Sequence, residues 1–166
     1  MGSDPLANVT GALREHDYAI DAARFESRDV VVARRSQFKV RWMFSRLHTF
    51  VFVIDFGDED VTAATLTHLV DLARGYAIKK KGGLPRGLQS GTAAIVVALS
   101  RAPSPALLAW SSRNAARRFA AMTFPVAVNT TTGTLTHPRP ALVGYLFNAH
   151  LAHVADDIVG VAVHSR

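Results

Sequence analysis

The chain has no cysteine among its 166 residues, and that absence removes several classes of protein together. A disulfide scaffold, a thiolate nucleophile, a Cys-ligated zinc site and an iron–sulfur cluster all need a residue that is missing. Long charge-free apolar runs are missing too. The most apolar stretch, 141–163, contains Asn148, His150, His153, Asp156 and Asp157, and charges at mid-span make a transmembrane helix unfavourable. Two catalytic signatures are also absent. The Gly-x4-Gly-Lys-Ser/Thr order of a phosphate-binding loop does not occur, and Ser90, between Gln89 and Gly91, fails the Gly-x-Ser-x-Gly elbow. Lysine is scarce, with four in all, three of them consecutive at Lys79, Lys80 and Lys81.

What remains is apolar and basic. Apolar residues make up 49% and charged residues 19%, a balance that places the chain among folded globular domains and away from disorder. Its length suits one domain. Residues 1–5 read as an expression-tag remnant, which leaves 6–166 as a single globular domain, expected in the cytoplasm and away from membranes. The formal charge of +6 permits binding to nucleic acid or another polyanion without requiring it.

Hydrophobic periodicity predicts an α/β protein. Leu6, Val9 and Leu13 mark a short helix over 5–16. Strands follow at Val30–Val32, then over 38–44, where Phe38, Val40, Trp42 and Phe44 alternate with polar residues, with a break near Arg35-Ser36. A turn at Ser45-Arg46 leads into a central strand, His48–Phe56. Leu66, Leu69, Val70, Ala73, Tyr76 and Ala77 form one stripe of an amphipathic helix, and the glycine-rich segment from Lys79 to Gly91 is a loop. Ala93–Leu99 is a buried strand. Ser104-Pro105 starts a helix running to about Ala121 with Leu108 inward. A strand at Pro125–Asn129, a turn at Thr132-Gly133, a strand Thr134–Thr136, a helix over Leu142–Ala155 and a last strand at Ile158–Val163 complete the chain. The expected architecture is a single mixed sheet of about five to seven strands flanked by helices, in the order α-β-β-β-α-β-α-β followed by turn, helix and strand.

The order helix, three-strand meander, helix, strand over residues 5–99 resembles the restriction-endonuclease-like core of the PD-(D/E)XK superfamily. That resemblance implies a divalent metal and a water held near a scissile phosphate by an acidic residue and an (Asp/Glu/Gln)-x-Lys tripeptide. The matching positions are Asp29 and Gln37-Phe38-Lys39. The usual second carboxylate has no counterpart, so the active-site motif is largely absent.

Three further constellations stand out from the residues themselves. Lys79, Lys80, Lys81 and Arg86 flank glycines in a segment whose backbone N–H groups and cations suit an anion; a basic helix end followed by a solvated loop is the plainer reading. Lys39 and Arg41, preceded by Arg34 and Arg35, line a strand, with Trp42 and Phe44 assigned to its opposite face. His150, His153 and Asp156 have helical spacing that brings the two histidines one turn apart, the geometry of a shared metal.

These readings favour a non-enzymatic binding or assembly module that engages nucleic acid or another polyanion through the basic loop, with no cofactor and with self-association into a homo-oligomer. The alternatives are a degenerate metal-dependent nuclease or phosphodiesterase using Asp29, Gln37 and Lys39, in which case a divalent metal is needed, and a structural protein–protein interaction domain.

Overall fold

The computed structural model describes residues 4–39, 45–80, 90–112, 116–118, 121–138 and 145–164. Asp4 and Pro5, set aside above as tag, belong to the fold. The Asp4 side chain accepts from the Leu6 amide and Pro5 occupies the first turn of α1 (Pro5–Glu15), where its missing N–H and fixed φ favour a helix start.

Two antiparallel pairings follow. Strand β1 (Ala19–Phe25) turns at Glu26-Ser27 into β2 (Arg28–Lys39), and β2 pairs with β3 (Ser45–Gly57). The meander of three strands is as expected, but its boundaries are not. Arg35 and Ser36 pair with Thr49 and His48 inside one continuous strand, so there is no break there, and β1 supplies the third strand. Ser45 and Arg46 open β3 instead of forming a turn. Residues 40–44, which carry Arg41, Trp42 and Phe44, lie outside the described residues.

Helix α2 (Ala63–Lys80) starts where the Thr62 hydroxyl accepts from the Thr65 amide and buries Leu66, Leu69, Ala73 and Ala77, the stripe read from the sequence. It returns the chain to β4 (Ser90–Ser100), parallel to β3. Ser104 caps α3 (Pro105–Ser111), which is less than half the expected length and buries Leu107 and Trp110 while Leu108 stays exposed. Both Ser111 and Ser112 turn their hydroxyls back to the Leu108 carbonyl, the local competition that makes serine a poor helix propagator. The chain then forms β5 (Ala116–Arg118), β6 (Ala121–Asn129) and β7 (Thr134–Thr136). β6 runs parallel to β4, and both β5 and β7 pair antiparallel to β6. The result is one seven-stranded mixed sheet of order β1-β2-β3-β4-β6-β5 with β7 also on β6.

The expected last strand is helical. α4 (Tyr145–His153) continues as a π-helix (Val154–Gly160) and a final turn, α5 (Val161–His164). Val154, Ala155, Ile158, Val159, Ala162 and Val163 are buried in pairs repeating every four residues. An α-helix of 3.6 residues per turn lets such a repeat drift by about 40° each time. The wider π turn keeps both rows on one face, so tertiary burial overrides the strand propensity of this β-branched run.

Period-two alternation gives the sheet two cores. On one face Val51, Val53, Ile95, Val97, Phe124 and Val126 pack beneath α1 and the C-terminal helices. On the other, Val32, Phe50, Phe52, Ile54, Ala94 and Val96 pack beneath α2 and α3. No helix among the described residues is long and apolar enough to cross a membrane.

Candidate polyanion interface

The described part of helix α2 ends at Lys80. Val32 and Phe50 lie under the helix, and continuing their alternation puts Arg34, Ser36 and Phe38 of β2, with His48 and Arg46 of β3, on the same face. The register sets Arg34 opposite Phe50, Ser36 opposite His48 and Phe38 opposite Arg46. Phe38 is consequently left 55% exposed, the most exposed large apolar side chain described, and Arg46 beside it is exposed. Phe38 was expected on the apolar face of a half-buried strand, and it is exposed instead.

Between α2 and this face lies a cleft of about 370 Å³. Ala19, Ile20 and Asp21 of β1, Val32 and Arg34 of β2 and Phe50 of β3 meet Tyr76 and Lys80 of α2 around it. Tyr76 is held edge-on against Phe52, with ring centroids 5.8 Å apart, and packs against Phe25. The Lys80 ammonium lies 5.8 Å from the Tyr76 ring centre, and Arg34 Nη1 donates to the Lys80 carbonyl at 3.4 Å. One Asp21 oxygen accepts from the Ala22 amide at 2.8 Å; the other keeps its lone pairs for a ligand.

The electrostatics favour an anion. The C-terminus of α2 brings roughly half a negative charge, against which stand Arg34, Lys79 and Lys80. Among the described residues none of these, nor Arg46, forms an ion pair with a carboxylate. By contrast Arg35, on the opposite face of β2, is engaged with Asp17 at 3.8 Å and with the Tyr18 ring.

The sequence-predicted residues are distributed as follows. Lys79 and Lys80 end α2 and are exposed; they belong to the helix, not to a loop. Lys81, Arg86 and the Lys39 side chain lie outside the described residues. Asp29 sits beside the β1–β2 turn, exposed and paired with Arg24 at 3.3 Å. Gln37 is eight residues further along the same strand, roughly 26 Å away at the rise of a β-strand. Metal ligands must converge within about 2.6 Å of one point, so Asp29 and Gln37 cannot share an ion. Gln37 Oε1 is buried without a hydrogen-bond partner.

The histidine constellation is likewise split. His150 is buried and contacts the Thr49 hydroxyl at 3.3 Å. His153 is exposed and pairs with Asp157, whereas Asp156 pairs with His137 at 2.9 Å. Three different partners separate the three expected ligands, and no group of three or more His, Asp or Glu among the described residues is placed to hold a metal ion.

The carboxyl ends of the parallel strands, where α/β sheets often bind ligands, are tied up internally. Asp55 accepts from the Gly57 amide, Asp58 pairs with Arg101, and Asn129 accepts from the Thr131 and Thr132 amides. The candidate interface lies at the opposite end, and its Asp21, Phe38 and Arg46 were not among the residues singled out from sequence. Their signal was present in the alternation Arg46, His48, Phe50, hidden by assigning Arg46 to a turn. Comparison with known proteins finds no matching family model, and no curated protein or solved structure matches the chain.

Proposed function

We propose that the chain is a non-enzymatic binding module that engages nucleic acid or another polyanion at the end of α2. One observation carries the reading: an exposed aromatic, Phe38, lies directly opposite an exposed arginine, Arg46, on a sheet face that also presents Arg34. Cations that track phosphates and an aromatic on which a base stacks are the two elements of single-strand recognition. The opposition of Lys39 and Arg41 to Trp42 and Phe44 expected from sequence lies outside the described residues, whereas Phe38 shares its face with Arg34 and with Arg46 of the neighbouring strand.

The test is fluorescence anisotropy of labelled single- and double-stranded oligonucleotides and of heparin across a salt series. Binding should weaken steeply with salt as counterions are released, and each of Arg34→Ala and Arg46→Ala should weaken it and reduce the salt slope by about one. Absence of binding at low salt would remove the reading.

The nuclease alternative draws support from element order alone, and the separation of Asp29 from Gln37 along β2 speaks against it. Self-association has less support from the surface, since among the described residues only Phe38 and Leu108 are large apolar side chains left exposed.

A further inference from the structure

We infer that the cleft beside α2 receives one unpaired nucleotide of a single strand, its phosphate against Arg34 and Lys80 and the hydrogen-bonding edge of its base against Asp21. This rests on the polyanion reading above and names what the site selects.

The lining carries both signs of charge. Asp21 faces Val32 in the register and Arg34 faces Ala19, so the carboxylate and guanidinium sit on a cross-strand diagonal, and no ion pair joins them. A bare phosphate would be drawn by Arg34 and Lys80 and repelled by Asp21. A ligand that satisfies all three has an anionic group at one end and N–H donors at the other. Between them the partly exposed Tyr76 ring, set over the buried Val32 and Phe50, provides an aromatic wall for a planar body. The volume, about 370 Å³, falls at the lower end of the small-molecule range of about 300–1,000 Å³. A nucleotide carrying a base with an amino group has this composition.

Two consequences follow from the chemistry. A base inside a duplex is stacked and paired, so it reaches such a cleft only from a single strand or after extrusion. Bases also differ in what they offer a carboxylate. Guanine presents two adjacent donors, its ring N–H and its amino group, which match the free oxygen of Asp21 and the second lone pair of the oxygen bonded to the Ala22 amide; cytosine and adenine present the amino group, and uracil only a ring N–H. The order of preference is therefore guanine first and uracil last.

The experiment is an amide-detected NMR titration of the intact chain with GMP, UMP, ribose 5-phosphate and inorganic phosphate at low salt, repeated with Asp21→Asn. Asp21 is exposed on the edge strand β1, so the substitution leaves the core intact. GMP should shift the amides of Ala19, Asp21, Val32, Tyr76 and Lys80 and bind about tenfold more tightly than UMP, as a good bidentate contact discriminates. Asp21→Asn should abolish that difference. Equal shifts from ribose 5-phosphate and GMP, or shifts confined to other residues, would overturn the assignment even if oligonucleotides still bind with salt dependence. Should no oligonucleotide bind at any salt, the polyanion reading falls and the nucleotide cleft falls with it.

Discussion

The Tyr18 hydroxyl is buried between α1 and the sheet with no hydrogen-bond partner among the described residues. Burial pushes its pKa up to about 12, and the nearby Arg35 guanidinium offsets only part of that rise. Because the folded value lies above the ordinary 10.0, the contribution to stability is complete below the ordinary value. It is lost as pH rises from there towards about 12, by up to about 3 kcal/mol. Tyr18→Phe removes both the titration and the unsatisfied group. It should flatten the alkaline limb of a urea-denaturation pH series and raise stability near neutrality by about 1 kcal/mol. A steeper alkaline limb in the variant would show that Tyr18 is not its source. Residues of this kind are hard to read from sequence, since nothing in the pattern around Tyr18 says whether its hydroxyl reaches water.

Elements were legible where one physical signal dominated. α2 carries an unbroken apolar stripe and buries it as read, and α3, with a serine cap followed by proline, begins where it was read. α3 was read too long because helical spacing of Ala115 and Phe119 mimics a continuing stripe, while the side-chain competition at Ser111 and Ser112 is local and stops it. The C-terminal helix was misread because valine and isoleucine favour strands on average, whereas the four-residue repeat of buried pairs, the better signal, points to a widened helix. Two glycines separate these elements in a testable way. Gly133, in the β6–β7 turn, has φ +75° and an added Cβ would meet the His164 ring at 3.2 Å. Gly160 closes the π-helix with no positive φ, and its Cβ would meet only the Ala155 carbonyl at 3.6 Å. Gly160→Ala should stabilise by about 0.4–1 kcal/mol and Gly133→Ala should destabilise by more than that. Thermal denaturation of the two variants would reverse this ranking only if the C-terminal helix packs differently.

At the scale of the whole molecule, the two cores are not independent. Each of β2, β3, β4 and β6 presents one face to each core, so loss of either layer strips the same strands. Phe50→Ala, beneath α2, should cost about 3–5 kcal/mol and Leu151→Ala, on the buried side of α4, about 2–5 kcal/mol. Both should shift one shared transition, with far-UV circular dichroism and tryptophan fluorescence moving together. Two separated midpoints would show that one layer melts alone.

Much of this architecture follows from local chemistry. A β-branched run marks β2, apolar runs mark β3 and β4 as strands buried on both faces, and a serine cap marks the start of α3, because backbone geometry and burial act within a few residues of each other. The absence of cysteine excluded whole classes of chemistry without any structure. The tertiary structure alone decided which charges share a surface. Phe38 and Arg46 are eight residues apart and become neighbours only through strand register. Tyr76 and Lys80 reach Asp21 and Arg34 only because α2 packs across this face of the sheet. Asp29 and Gln37, close in sequence, are held far apart by an extended strand that a helix would have shortened by more than half. Distance along a chain becomes distance in space only once the backbone conformation between the residues is known, and sites are made of the latter.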